Sequence, residues 1–183
     1  MGTSAKIEFN LIRQEKVKAL LQSNGLFSLQ DLSKLKSFCY DQADGKRYFK
    51  HIKLFSIDAD IEKVWNAYKT ISPQETRKGS MVSFGLMYSR KQGEIMYPSD
   101  TYKGIEEGQI IFLNLNLFAN IVNLAVGHEI TGVDESNKTI KICYLQNGAS
   151  TGTQLIQLKK KGEGRTEVTH ETWYRSGSLF RDK

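Results

Sequence analysis

The chain is 183 residues long, 39% hydrophobic and 25% charged, with a net charge of +6. This fits one globular domain with a full core and a small appended segment, and two cysteines argue against a disulfide scaffold. Two prolines leave no proline-rich linker, and no apolar run approaches the roughly 20 residues that cross a bilayer.

The start, MGTSAKIEFNLIRQEK, lacks the continuous apolar core of a secretory signal, so the chain reads as cytoplasmic. Residues 1–55 hold ten Lys and Arg against five Asp and Glu, whereas 56–183 hold sixteen against fifteen. Such a basic segment either attracts phosphates or an anionic surface or is the solvated face of helices. EKVKALLQSNG sets Val17, Leu20 and Leu21 at helical spacing, and Gly25 after Asn24 suits a helix end. Ser28 and Asp31 have the spacing of a capping box, opening a second helix whose face is Leu29, Leu32, Leu35 and Phe38. DQADG at 41–45 is a turn. Residues 1–46 are therefore expected to form a helical segment ahead of a domain spanning 47–183. Cys39 and Cys143 lack CxxC spacing and are expected to be two buried free thiols in a reducing compartment.

The period then changes. RYFKHIKLFSI (47–57) reads as a strand, IDADIEKVWNAY leads a helix to about Ile71, and SPQETRKG (72–79) is a loop. SMVSFGLMYS (80–89) fits a strand or a short helix, RKQG turns, and PSDTYKGIEEG is irregular. Strand then follows strand: 109–118, 123–134, 139–146, 151–161 and 165–175, joined by short polar turns. Short turns imply an antiparallel meander, and the order as a whole implies an α+β plan.

Within IDADIEKVWNAY, Asp58 stands where a carboxylate can cap the free amides of a helix, and Asp60 falls in the first turn, where the helix dipole favours an anion. Ile61, Val64, Trp65, Tyr68 and Ile71 form one apolar stripe. Both acids are explained without catalysis. A strand followed by this stretch resembles the opening of the START-like, or birch-pollen-allergen-like, superfamily (SRPBCC), which includes polyketide cyclase-like proteins. Residues 57–68 match that junction, including Ala59, Val64 and Trp65, while the proline often seen after the alanine is Asp60 here. The meander matches the family's sheet in rhythm, and GTQLIQL followed by GEGRTEVTHETWY is similar to its closing hairpin. The resemblance spans about residues 47–178.

The resemblance implies a helix-grip-like curved antiparallel sheet with helices on its concave face and a hydrophobic cavity between them. It also implies binding of a hydrophobic small molecule or lipid. Two departures stand out. The family's long C-terminal helix is missing, because the chain stops at SGSLFRDK, and the N-terminal helices are extra. Those helices covering the sheet instead, a truncated chain, or a second subunit in a homo-oligomer all remain open.

Strand parity selects the residues that could face such a cavity. His128 shares parity with Leu124, Val126 and Ile130; His170 with Val168, Thr172 and Tyr174; and Tyr144 with Ile140 and Ile142. With Leu113 from the first meander strand and Trp65 and Tyr68 from the helix, the candidate ligand-binding set is Trp65, Tyr68, Leu113, His128, Tyr144, His170 and Tyr174. The alternative is that these are satisfied core or edge residues. His128–Glu129 and His170–Glu171 point to opposite faces and cannot work as local acid–base pairs. The sequence holds no nucleophile elbow, P-loop or dinucleotide fingerprint, and a zinc pair of His128 and His170 lacks a third ligand. No catalytic residue, metal or cofactor is therefore expected. A cyclase or aromatase using His128, His170 or Tyr144 is the enzymatic alternative. SNGLFS between two basic-flanked helices mimics a helix-turn-helix but lacks residues suited to base edges, so nucleic acid is not a favoured partner.

Overall fold

Local signals set the helices in the computed structural model, which describes residues 5–44, 47–76, 81–117, 122–146, 148 and 150–176. Helix α1 (Glu15–Ser23) ends before Gly25, whose φ of 68° suits glycine. Helix α2 (Leu29–Ser33) opens on a complete capping box: Ser28 accepts from the Asp31 amide, and the Asp31 carboxylate accepts from the Ser28 amide at 3.0 Å. It stops earlier than the apolar spacing suggested. Arg90 donates to the carbonyls of Ser33 (2.6 Å) and Leu35, absorbing the helix end. Phe38, expected on that helix, instead lies in the two-residue strand β1 (Ser37–Phe38).

Strand β2 (Phe49–Ile57) leads to α3 (Ile61–Thr70). The cap differs from expectation. Asp60 is the N-cap, accepting from the Glu62 amide at 2.9 Å, while Asp58 pairs with Arg165 at 2.7 Å. The chain enters the helix two residues later than the acid spacing suggested, and the dipole role passes to Glu62. Pro73–Thr76 adds one helical turn, α4, inside the expected loop, whose residues 77–79 lie outside the described residues. The segment open to either reading is strand β3 (Val82–Ser89), which turns into a short β4 (Glu94–Met96) that the sequence did not announce. Then come β5 (Gln109–Leu117), β6 (Val122–Asp134), β7 (Thr139–Leu145), β8 (Ser150–Lys160) and β9 (Thr166–Ser176). Among the described residues no helix follows β9, and 177–183 lie outside them.

The nine strands of the described residues form one antiparallel sheet in the order β2-β9-β8-β7-β6-β5-β3-β4, with β1 off this path against β7. Alternation along β5 sends its side chains to two cores. Ile110 and Phe112 join Ile12, Val17, Leu21 and Leu32 of the N-terminal segment. Ile111 and Leu113 face the other way, Ile111 towards the cluster that contains Val64 and Trp65 of α3. The N-terminal helices thus cover the sheet, but on the face opposite α3, and do not stand in for a helix over the α3 face. Their approach is close: a Cβ on Gly85 would meet the Val17 side chain at 2.9 Å.

The free-thiol expectation is overturned, because Cys39 and Cys143 form a disulfide. Sequence spacing could not show this, since 104 residues separate the two. The sheet creates the contact. β7 pairs with β8 only as far as Cys143↔Thr153, and β1 then fills the gap with Ser37↔Leu145 and Phe38↔Tyr144. The β7–β8 pairing ends next to Gly152, where φ is 139° and any Cβ would fall 1.9 Å from the Trp173 carbonyl oxygen.

Candidate ligand-binding cavity

A cavity of about 390 Å³ lies between α3 and the α3 face of the sheet, at the lower end of the roughly 300–1,000 Å³ typical of small-molecule sites. Its floor is branched and apolar: Ile111, Leu113, Ile130, Ile140, Ile142 and Ile156. Ala67, Tyr68 and Ile71 of α3, with Pro73, form one wall. Tyr102 and Ile105 close another, and the Ile105 amide donates to the Lys69 carbonyl at 2.8 Å, pinning this loop to the end of α3.

Polar groups enter at few points. The Tyr68 hydroxyl lies 3.2 Å from His170 Nε2, and either can donate, depending on the imidazole tautomer. His170 packs edge-on against Phe55, with centroids 5.5 Å apart, and His128 packs edge-on against Tyr144 at 4.6 Å. Burial pushes the Tyr68 hydroxyl above its ordinary pKa; burial, reinforced by the charge of Glu106, does the same to Tyr102. Both phenols therefore stay neutral near physiological pH and act as hydrogen-bonding groups. This arrangement can hold an apolar body and orient one polar end, and among the described lining residues there is no Ser, Thr, Cys or Lys.

Four of the seven candidates, Tyr68, Leu113, His128 and His170, line the cavity. Three do not. Trp65 is 1% exposed and packs in the core beneath α3, its indole N–H donating to Glu135 at 2.6 Å. The helix stripe is wider than the cavity, and its N-terminal half is core. Tyr144 stands beside His128 on the same face but outside the lining, and Tyr174 lies further along the sheet against Phe49, with centroids 5.8 Å apart. Parity placed these two on the right face but could not say how far along it the cavity runs. Conversely, Tyr102 and Ile105 were missed because their segment has no period. Their only signal was two large apolar residues within an otherwise polar stretch. Glu129 points to the opposite face, where it pairs with Arg90 at 2.7 Å.

No protein-family model and no curated protein matches the chain. Solved structures do. Major latex-like protein 151 from Panax ginseng is similar at a TM-score of 0.51 and 14% identity, over 74% of this chain and 84% of that one. Norcoclaurine synthase from Thalictrum flavum is similar at 0.52 and 11% identity, over 74% of each chain. The same enzyme in complex with dopamine and hydroxybenzaldehyde gives 0.51 and 11%, over 81% of this chain and 83% of that one. At such identities the likeness speaks for architecture alone. Together with the curved antiparallel sheet and the α3 junction, it establishes that the chain has the START-like, birch-pollen-allergen-like helix-grip fold.

Proposed function

We propose that this protein binds a small hydrophobic molecule or lipid in the α3-face cavity. The observation that carries the reading is a branched apolar floor with only a few polar groups, Tyr68, His128 and His170 among them, converging on it. Tyr68, Leu113, His128 and His170 are its contact residues, with Tyr144 and Tyr174 extending the same face. Titration with the neutral fluorophore N-phenyl-1-naphthylamine tests it. Wild type is expected to enhance the emission saturably, and Ala67→Trp, which fills the mouth from an exposed helix position, to weaken binding by roughly tenfold or more. No saturable enhancement, or equal affinity in the variant, would end the reading.

One observation favours a second reading, a cyclase-like enzyme: Tyr68 and His170 are within hydrogen-bonding distance inside the cavity, and one protein of the same fold holds an amine and an aldehyde. It requires that incubation with an aromatic aldehyde and amine yields product, and that His170→Gln abolishes it. Substrates left unchanged by wild type refute it.

The remaining proposals concern context. Residues 1–46 are an appended helical segment that folds together with a ligand-binding domain spanning 47–183. The cytoplasmic location expected from the sequence stands against the Cys39–Cys143 disulfide, which argues for an oxidising compartment. Alkylation at the moment of lysis separates the two, since free thiols support the cytoplasm. A homo-oligomer would use β2, whose outer edge is unpaired among the described strands. A monomer by light scattering refutes that.

A further inference from the structure

We propose that the cavity's ligand is an amphipathic monocarboxylate, its alkyl body on the isoleucine floor and its carboxylate at the edge formed by His170, Tyr68 and Lys53. This rests on the cavity-binding reading and adds a charge to it.

The observation is an asymmetry between the two faces of the sheet. On the α3 face, the inward positions of β2 and β5 to β9 carry no Asp or Glu. They do carry all three of the protein's histidines, His51, His128 and His170, together with Lys53. Lys53 is the direct cross-strand partner of His170. Its ammonium stands 5.9 Å from the centre of the Phe55 ring, against which His170 also packs. Among the described residues no carboxylate lies within ion-pairing distance of it. The contrast is Lys50, three residues earlier on the opposite face, which pairs with Glu171.

Carboxylates do stand around the cavity on other elements, and each is engaged. Glu75 accepts from the Ser72 hydroxyl at 3.1 Å, Glu106 accepts from Ser89 and Gln92, and Glu135 holds Trp65 and Lys69. Glu94, on the α3 face of the edge strand β4, pairs with Lys103 at 2.7 Å. An incoming anion therefore meets an exposed ammonium, an imidazole and a neutral phenol with no acidic competitor at the inward positions of β2 and β5 to β9, and charge-assisted bonds of this kind are the stronger ones. An ammonium ligand meets Lys53 without a counter-charge. A neutral alcohol gains only hydrogen bonds.

Isothermal titration calorimetry near pH 7 with monomeric decanoate, 1-decanol and decylammonium tests the inference. Decanoate is expected to bind roughly tenfold more tightly than 1-decanol, with decylammonium the weakest. Lys53→Met, at an exposed position, is expected to bring decanoate to within about threefold of 1-decanol and to leave 1-decanol unchanged. Equal affinity for all three in wild type, or a preference for decylammonium, overturns the carboxylate and leaves the cavity reading standing. An unchanged decanoate preference in Lys53→Met overturns the assigned edge. Binding of none of the three overturns the cavity reading as well.

Discussion

Cutting the Cys39–Cys143 bond releases a covalent loop that spans 104 residues of sequence. In the chain-entropy account, closing a loop of that length stabilises the fold by about 4.7 kcal/mol, while measured bonds typically return about 2–4 kcal/mol. The lower range suits this site, because other contacts also hold the chain in the gap between β7 and β8. The Gln146 amide donates to the Lys36 carbonyl at 2.7 Å, and the Tyr40 amide donates to the Thr153 hydroxyl at 2.8 Å. At about 2–4 °C per kcal/mol for a chain of this size, a loss near 3 kcal/mol lowers the unfolding midpoint by roughly 6–12 °C. Scanning calorimetry with and without a phosphine reductant measures this. Cys39→Ser is expected to show the reduced midpoint and no further response to the reductant. A wild-type midpoint that the reductant does not move, or two thiols that titrate in the untreated native protein, would refute the reasoning.

Leu21 is fully buried where α1 meets the sheet. Leu21→Ala is therefore expected to cost about 2–5 kcal/mol in a single cooperative urea transition, whereas an independently attached N-terminal segment would leave the main transition in place. Asp60→Ala should cost about 1 kcal/mol through loss of the α3 cap, and Asp58→Ala, which breaks only an exposed pair with Arg165, should stay within about 0.5 kcal/mol of wild type. Reversal of that order would restore the cap to Asp58. Hydrogen bonds from the Ser28 hydroxyl and the Phe27 and Ser28 amides hold the Asp31 carboxyl below its ordinary value of 3.8. Its stabilisation is thus present above that value and fades as pH falls through it. The stability gap between wild type and Asp31→Asn should be constant from neutral pH to about 5 and shrink below 4; a gap that grows on acidification contradicts the assignment.

Where one face of an element is buried and the other wet, its period was legible. This is why β5 to β9, with their alternating side chains, and the Val64–Trp65 stripe of α3 could be read from the chain, and why Leu113, His128 and His170 could be placed on one face. Contacts that depend on where strands end were not legible. The register at Cys143↔Thr153 decides that β1 enters the sheet and that Cys39 meets Cys143, and no local pattern encodes it. The extent of the cavity was hidden for the same reason. Tyr102 and Ile105 belong to an aperiodic loop that reaches the cavity through one backbone bond to Lys69. Trp65 and Tyr68 lie on a single stripe, yet the first lies in the core and the second in the cavity.

The isoleucines make the central claim directly observable. Ile111, Ile130, Ile140, Ile142 and Ile156 form the cavity floor, whereas Ile7, Ile12 and Ile110 belong to the core on the opposite face. Methyl spectra of isoleucine-labelled protein, recorded while 1-decanol is titrated in, report on both groups at once. Saturable shifts at these five isoleucines of the cavity floor, with Ile7, Ile12 and Ile110 unmoved, are the predicted result. Shifts confined to the opposite core, or no saturable shift at any of the five, would contradict a ligand site between α3 and the sheet.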